Sequence, residues 1–419
     1  MLFRRALVAV CLLAGAISMP AAQSGPLICS PESPAHNPVA CWAEFVQPAI
    51  QAGRPPASSE VLHALVSLAV YDAVIAVEGG FEPYAGAAGT HPGADLRAAV
   101  ATAAYLAASD RLAPAQATLL RDAVYLPYIG AIPAGTARDA GVAAGTHAAQ
   151  AVLAARLNDG YTDTVLYECS AIPPPPGEFE PNPPGGCGAQ PVDVKLSRMR
   201  PYTFENSYSF MPDGPELSTG DLFETRDYGR DEDSLRSEDQ TDTVYFWNEN
   251  TYVQWNRNLI RLAVSLGMSP REMARTFAMV HTASADAIIV GFTTKYHYRF
   301  WRPRTAIPAL DDPTWKPLLS VNHPEYPSAH AFWSTALTDT LAHVLGSHRL
   351  VWTIDSTARE LAPDEQTRTY RDLNAITREI DDARVWAGLH WRHSMRHGTK
   401  IGREVARHVS GQFFKRLDD

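Results

Sequence analysis

The sequence predicts an all-α protein made of one or two helical bundles. The chain has 419 residues, 46% of them hydrophobic, so it can bury a large core in one large domain or in two closely packed halves. Apolar residues recur with helical spacing over most of the chain, and no strand-rich region stands out. The net charge of -10, without a long Lys/Arg run, argues against a nucleic-acid partner.

Residues 1–23 have the features of a secretory signal peptide. Arg4 and Arg5 form a basic start, residues 6–16 form a short apolar run, and small residues follow Met19 at the expected cleavage region. The apolar run is too short to cross a bilayer comfortably, and the sequence lacks multiple apolar spans. We therefore expect a secreted or periplasmic protein with no membrane span.

Four cysteines remain after removal of the signal peptide. An even number of cysteines in an exported protein predicts two disulfides, for which four cysteines allow three connectivities. We favour Cys29–Cys41 and Cys169–Cys187, because each of these local pairs would staple a loop-rich stretch. A metal site is less expected, since no pair has the close C-x-x-C spacing of zinc sites.

Residues 24–240 form the predicted N-terminal helical half. Its helices are expected at 61–77, 95–109, 114–124 and 136–157. Residues 171–191 are too rich in proline and glycine for a helix, and we expect a surface excursion held by the second disulfide. Residues 195–240 are mixed and polar, which predicts irregular structure with short helices.

Residues 241–419 form the predicted C-terminal half. Ser269 and Glu272 make a capping box with Pro270 at the first helical position, and they begin a helix that runs to about residue 300. Further helices are expected at 328–345, 364–384 and 390–414. Asp72 and Asp286 are both followed by alanine inside an apolar helix. This short internal similarity, called the echo below, would fit two related bundles.

Three short segments in this half carry the groups needed to hold an oxyanion. They supply three cations, a hydroxyl at a predicted helix start and two histidines. The cations would neutralise the anion, the hydroxyl and helix N–H groups would donate to its oxygens, and the histidines could flank its central atom. The segments are Lys295 to Arg302-Pro303, Pro327-Ser328-Ala329-His330, and Arg384 to Gly388 and His390.

Each segment also has an ordinary structural interpretation. Lys295 and Arg302 are seven residues apart, which fits one face of a basic helix end. Ser328 suits a helix N-cap, and a lone histidine such as His390 is more often structural than catalytic. The three segments together, in this order and spacing, favour an anion site in the C-terminal bundle.

The pattern K-x6-R-P, then P-S-x-H, then R-x5-H resembles the vanadium-dependent haloperoxidase and acid phosphatase superfamily. The match runs from Lys295 to His390, and the helical texture elsewhere resembles secreted bacterial haloperoxidases. The resemblance implies an all-α, haloperoxidase-like fold, with vanadate, or phosphate in the same pocket, as the bound group. It also implies hydrogen peroxide and a halide as substrates, with a small organic acceptor and a homodimer as further possibilities.

The resemblance also implies a role for each residue of the site. His390 would ligate vanadium directly, and His330 would be the acid–base residue near the apical oxygen. In the phosphatase branch, which is the alternative, His390 would be the nucleophile and His330 the acid for the leaving group. The equatorial oxygens would be held by Lys295, Arg302, Ser328, the N–H of Ala329, and Arg384.

Two positions depart from the family pattern. Ala329 stands where a glycine is usual, so its N–H can donate only if the backbone there suits a residue with a Cβ. Ser394 stands four residues after His390, where many members have an aspartate that orients the histidine. Its absence weakens the phosphatase alternative more, because a nucleophilic histidine depends on that carboxylate. The candidates for the orienting role are Asp286, Asp381 and Asp382.

His323, seven residues before His330, is a candidate for tuning the choice of halide. In the family this position is histidine in bromoperoxidases and an aromatic ring in chloroperoxidases, so the resemblance favours bromide. The alternative is an ordinary loop histidine beside Pro324. A non-catalytic anion-binding protein derived from the family is the third functional reading, kept open by the changes at residues 329 and 394.

Overall fold

The computed structural model describes residues 29–33, 36–86, 89–181, 187 and 190–417. The predicted signal peptide therefore lies outside the described residues. The all-α prediction is confirmed, since helices make up most of the structure and the strands form one short hairpin.

The described residues of the first half form eight α-helices, with a π-helical turn at Arg121–Tyr125 and a 3-10 turn at Val194–Arg198. The helices predicted at 61–77, 95–109 and 136–157 are found with shifted ends, and the one predicted at 114–124 is found as an α-helix that continues into the π-helical turn. The bounds are α1 Pro38–Gln51, α2 Pro56–Glu78, α3 Leu96–Ser109, α4 Pro114–Leu120, α5 Leu126–Ala131, α6 Thr136–Ala155, α7 Thr219–Gly229 and α8 Glu238–Phe246.

The described residues of the second half add six α-helices and the hairpin. Ser269 makes the predicted capping box with Glu272, and the helix that it caps is the longest described. The bounds are α9 Thr251–Ser265, α10 Pro270–Tyr298, α11 Pro303–Leu310, α12 Ala329–Leu345, β1 Trp352–Asp355, β2 Thr367–Tyr370, α13 Leu373–Trp386 and α14 Arg392–Gln412.

Helices α2 and α10 are apolar around most of their surface because they lie in the middle of the fold and pack against each other. By length and composition each could cross a membrane, but 94% and 100% of their apolar windows are buried inside the protein. Helices α3 and α6 pack with α2, whereas α12 and α14 pack with α10. One continuous hydrophobic core joins the two groups.

The echo between Asp72 and Asp286 has a structural basis. The Asp72 carboxylate accepts hydrogen bonds from two consecutive backbone N–H groups, those of Tyr84 and Ala85, at 2.6 and 2.9 Å. The Asp286 carboxylate does the same with residues 202 and 203, at 2.5 and 3.1 Å. Both aspartates lie sixteen residues after the first proline of their helix (72 − 56 and 286 − 270). Each one fastens a loop to a central helix.

Helices α12 and α14 approach each other closely because α14 presents glycines at the contact. A Cβ at Gly398 would lie 2.8 Å from the carbonyl oxygen of Ser328, and one at Gly402 would lie 2.5 Å from that of Phe332. Two turns of α14 therefore rest directly on the backbone of α12. This contact fixes the start of α12, where Ser328 and His330 lie.

Both favoured disulfides, Cys29–Cys41 and Cys169–Cys187, are present. The described residues of the excursion at 171–191 are irregular as predicted, but those before residue 182 do not stay on the surface. Phe179 is fully buried, and its N–H donates to the carbonyl of Arg299. The N–H of Trp301 donates to the carbonyl of Gly177 at 3.1 Å. The excursion therefore supports the chain that leads into Arg302.

The helix predicted at 364–384 is wrong over residues 364–372. Residues 367–370 form strand β2, which pairs antiparallel with β1 and sets Tyr370 opposite Trp352. Alternate side chains of the pair face the core, and both of these rings are buried. Helix α13 begins only at Leu373, because the Asp372 side chain caps it by accepting from the N–H of residue 374.

Candidate active site

Lys295 and Arg302 meet at one loop, although they do not share one continuous helix as their spacing suggested. Helix α10 ends at Tyr298, and Arg302 is the N-cap of α11. Both side chains are buried. Lys295 Nζ donates to the carbonyls of Pro324 and Glu325 at 2.9 Å each, and Arg302 also reaches the Pro324 carbonyl, at 3.3 Å.

Arg302 also fastens the loop to the segment that carries His390. Its Nε donates to the carbonyl of His323 at 2.6 Å, and a terminal nitrogen donates to the carbonyl of Leu389 at 2.8 Å. The guanidinium is thus held between the loop at 323–325 and the turn before α14. The ammonium and the guanidinium are already fixed by these hydrogen bonds, so their side chains need not be ordered further when an anion binds.

His390 is oriented by Glu325, a residue that sequence reasoning missed. The Glu325 Oε1 atom lies 2.8 Å from His390 Nδ1 and accepts the N–H of Trp391 at 3.1 Å. Glu325 Oε2 accepts the hydroxyl of Ser394 at 2.7 Å. An ionised carboxylate can only accept, so the ring donates to Oε1 from Nδ1. The lone pair of Nε2 is then left for a ligand.

The three aspartates proposed for this role are elsewhere, so that expectation is wrong. Asp286 accepts from the 202–203 backbone, Asp381 accepts from Thr399 at 3.3 Å, and Asp382 pairs with Arg392 at 2.6 Å. The available signal for Glu325 was a lone carboxylate two residues before the motif that begins at Pro327. Helical periodicity could not reveal it, since the loop has none.

Arg384 and His390 are joined by a turn that requires glycine. Gly388 has φ +71°, and a Cβ there would lie 2.4 Å from the carbonyl oxygen of Gly229 and 2.8 Å from Cβ of Pro317. Arg384, in the last turn of α13, is buried and donates to the carbonyl of Trp247 at 3.3 Å. Its Nε is buried and has no hydrogen-bond partner among the described residues.

Ser328 occupies the N-cap position of α12, but its side chain does not cap the helix. Its Oγ is buried and lacks a hydrogen-bond partner within the described part of the chain. Ala329 is the first residue of α12 and does not have a positive φ, so the departure from glycine causes no strain there. The first N–H groups of a helix have no partner within it, and they suit an anion.

His330 follows on the first turn of α12 and is held by the α8–α9 junction. Its Nε2 lies 3.1 Å from the hydroxyl of Thr251, the first residue of α9. A hydroxyl can donate or accept, so Thr251 is compatible with either protonation state of the ring. Trp247 and Thr251 were not singled out in the sequence.

His323 is part of the site. Its Nδ1 lies 3.0 Å from a terminal nitrogen of Arg302, and its ring contacts Phe292 with the centroids 5.6 Å apart. Nδ1 also lies 3.1 Å from the carbonyl oxygen of Pro324. Arg302 can only donate to Nδ1, whereas the carbonyl can only accept from it, so the two contacts require opposite roles of this nitrogen. Halide tuning by His323 and its alternative, an ordinary loop histidine, both stay predictions.

The electrostatics show a site that is short of negative charge. Burial lowers the pKa of Arg302 and of Arg384 to about 9, and it lowers that of Lys295 well below its usual range, helped by Arg302. Burial raises the pKa of Glu325 to about 7 against the opposing effect of Ser394 and Lys295. Three cations face one carboxylate, so a bound anion would favour their charged forms.

The two histidines are held neutral. Burial, followed by the charges of Arg302 and Lys295, lowers the pKa of His390 well below its usual value. Burial and the charge of Arg384 do the same for His330. All three cations influence both rings, which places the predicted cations around the two histidines.

Residues 275–419 match the family model of the VCPO second helical-bundle domain. The chain carries a haloperoxidase-type C-terminal bundle. Over residues 275–419 this match bears out the superfamily predicted from the motifs. The haloperoxidase-type bundle includes all the residues from Lys295 to His390 described above. No curated protein matches the chain by sequence.

Solved structures extend the likeness of the fold beyond the haloperoxidase-type bundle. The structure described as the first bacterial vanadium-dependent iodoperoxidase aligns with a TM-score of 0.75 at 21% identity, over 91% of this chain and 96% of that one. Apo-type and holo-type bacterial vanadium-dependent chloroperoxidase structures align with TM-scores of 0.66 and 0.67, at 18% and 16% identity. They cover 84% and 93% of this chain, and 93% and 96% of their own.

Proposed function

We propose that this protein is a vanadate-dependent haloperoxidase that oxidises a halide with hydrogen peroxide. The observation that carries the proposal is a buried site with three cations, two unpartnered donors and one histidine nitrogen left without a proton. The unpartnered donors are Ser328 Oγ and Arg384 Nε. This donor set fits a tetrahedral or trigonal-bipyramidal oxyanion, and it has the wrong charge for a bare metal cation.

In this proposal the side chains divide into holders and reactive groups. Vanadate, when bound, supplies Lewis acidity that activates hydrogen peroxide without a change in oxidation state. His390 presents Nε2 as the ligand to vanadium, and His330 exchanges a proton with the reacting oxygen. The remaining oxygens are held by Lys295, Arg302, Ser328, the Ala329 N–H, and Arg384.

The overall reaction consumes one proton for each halide oxidised. Halide, hydrogen peroxide and a proton give hypohalous acid and water, and the halide loses two electrons to the peroxide oxygens. His330 is placed to carry that proton, because its neutral ring touches a hydroxyl that can donate or accept. A small organic acceptor would react with the hypohalous acid and needs no pocket of its own.

Bromide is the halide that we propose. The argument is the resemblance of His323 to the histidine of bromoperoxidases, together with its contact with Arg302 inside the site. We further propose an exported protein, secreted or periplasmic, on the basis of the signal-like start and the two disulfides. The division into halves at residue 240 and a homodimer are parts of the same proposal.

The phosphatase alternative gains one specific observation. A nucleophilic histidine needs a carboxylate that orients it, and Glu325 supplies that carboxylate where residue 394 does not. The change at residue 394 therefore no longer argues against a phosphomonoesterase with His390 as nucleophile.

Bromination of a dye or diketone with hydrogen peroxide and bromide tests the proposal, using metal-free protein titrated with orthovanadate. We expect saturable activity that inorganic phosphate competes away, and iodide and chloride in parallel assays report the halide preference. No halogenation at any vanadate level would refute the proposal. Hydrolysis of nitrophenyl phosphate with inhibition by vanadate would then assign the site to the phosphatase branch.

A further inference from the structure

Glu325 is a buried carboxylate placed between the starts of α12 and α14. We propose that Glu325 is the positioning residue of His390, in place of the aspartate that many relatives have at position 394. The inference rests on the proposed function, because the bound group that it serves is vanadate. It assigns a task to a residue outside the three motifs that point to the site.

The hydrogen bonds of Glu325 leave it little freedom to do anything else. Oε1 accepts from His390 Nδ1 and from the Trp391 N–H, while Oε2 accepts from Ser394. The side chain is fully buried, so these donors replace its hydration. Three donors on one buried carboxylate fix both its position and the plane of the histidine ring.

Ser394 completes the arrangement from the opposite side. Its hydroxyl donates to Glu325, and its carbonyl accepts the N–H of Ser328 at 3.1 Å. Residue 394 therefore ties the carboxylate to the hydroxyl-bearing start of α12. The acid has moved from α14 to the loop before α12, and the position that it left now holds a hydrogen-bond donor to it.

The cations do not compete for this carboxylate. Lys295 donates to the backbone carbonyls of Pro324 and Glu325. Arg302 donates to three backbone carbonyls, of which that of Pro324 is shared with Lys295, and a terminal nitrogen lies 3.0 Å from His323 Nδ1. The Glu325 carboxylate instead contacts the neutral ring of His390, at 2.8 Å. The carboxylate thus fixes the proton on Nδ1 and leaves Nε2 as the electron-pair donor, as partners of ligating histidines do.

A positioning role and a purely electrostatic role predict opposite changes. Replacing Glu325 by glutamine keeps the shape and removes one negative charge from a site that contains three cations. Simple electrostatics would then tighten the binding of every anion. Loss of positioning would weaken only the anion that bonds to His390, because an anion held by cations and N–H groups alone does not need the ring.

Calorimetric titration with orthovanadate and with inorganic phosphate separates the two. For Glu325→Gln we expect vanadate to bind about 10- to 100-fold more weakly than to wild type, with phosphate binding unchanged or tighter. In Glu325→Gln/Ser394→Asp we expect at least part of the vanadate affinity to return, since a carboxylate is restored beside the ring. Ser394→Ala is the matched control, which keeps the carboxylate and should lose less affinity than Glu325→Gln.

Vanadate and phosphate binding that change together in Glu325→Gln, or vanadate binding that stays at the wild-type level, would overturn the inference. A second measurement tests the inference on wild-type protein, in case Glu325→Gln does not fold. The ¹⁵N spectrum of wild-type histidine side chains, with His390 assigned by its loss in His390→Ala, should show the proton on Nδ1. A proton on Nε2 would overturn the inference even if the protein never binds vanadate. If wild-type protein bound vanadate no better than phosphate while His390 carried its proton on Nδ1, the proposed function would be refuted. The positioning of His390 by Glu325 would still stand.

Discussion

Gly402→Ala is expected to destabilise the protein by driving α14 away from α12. The added Cβ would lie 2.5 Å from the carbonyl oxygen of Phe332 and 2.8 Å from the amide nitrogen of Ala336, where ordinary contacts begin at 3.4 Å. The helices must therefore separate by about 0.9 Å or bend, because backbone atoms cannot rotate away. Overpacking of this kind costs ~1–3 kcal/mol. Alanine has a better helix propensity than glycine, which offsets about 1 kcal/mol of this cost. The unfolding free energy should therefore fall by at most about 2 kcal/mol.

Gly411→Ala is the matched control, since it lies on the same helix and nothing is within 4 Å of its added Cβ. It should be neutral or slightly more stable than wild type, because alanine favours the helix. Urea titration followed by circular dichroism, with thermal melting in parallel, measures both variants under the same conditions. If Gly402→Ala were as stable as Gly411→Ala, the packing argument would be refuted. The helices α12 and α14 would then have moved apart without a loss of unfolding free energy.

Three further predictions concern the site and the buried core. His390→Ala should abolish vanadate binding in calorimetry, because the proposed ligand is lost. His330→Ala should retain vanadate binding and lose most of the halogenation activity. Vanadate affinity at the wild-type level in His390→Ala would contradict the assignment. Thr251→Val removes the hydroxyl beside His330 and should lower kcat severalfold with little change in vanadate affinity, and equal loss of both would argue against it. Glu60 contacts His281 at 2.8 Å, and burial raises the pKa of Glu60 to about 8. The folded protein then retains a proton that the unfolded chain releases above pH 4.5, so unfolding free energy falls by up to ~1.4 kcal/mol per pH unit until pH 8. Glu60→Gln should flatten the fall in melting temperature between pH 7 and 8, and an unchanged slope would show that Glu60 is ionised throughout.

The parts of the site that the sequence predicted are those set by local geometry. Lys295 and Arg302 flank a single helix end, and Arg384 and His390 flank a single glycine turn, so their spacing alone brings each pair together. The capping box at Ser269 and the local disulfides were predictable for the same reason. Each depends on residues that are near in the chain.

The parts that were missed depend on contacts between distant segments. Glu325 reaches His390 across 65 residues, and Thr251 reaches His330 across 79. No periodic pattern marks either residue, because one lies in a loop and the other at a helix start. Strand β2 has only four residues, too few to stand out from the helical pattern around it, although its threonines and tyrosine favour a strand. Its pairing with β1 is not visible in the sequence.

The paired aspartates of α2 and α10 have a consequence for the history of the chain. Two helices that start with proline and fasten a loop at the same depth are the expected remains of a duplicated ancestral unit. If the register is continued, the position in the N-terminal copy that corresponds to Lys295 is Phe81, a hydrophobic residue just past the end of α2. The proposed anion site thus uses a cation of the C-terminal helix, whereas the N-terminal helix has no cation at the corresponding position. The loops and helix ends of the N-terminal half are free to diverge as long as Asp72 and its two backbone donors are kept.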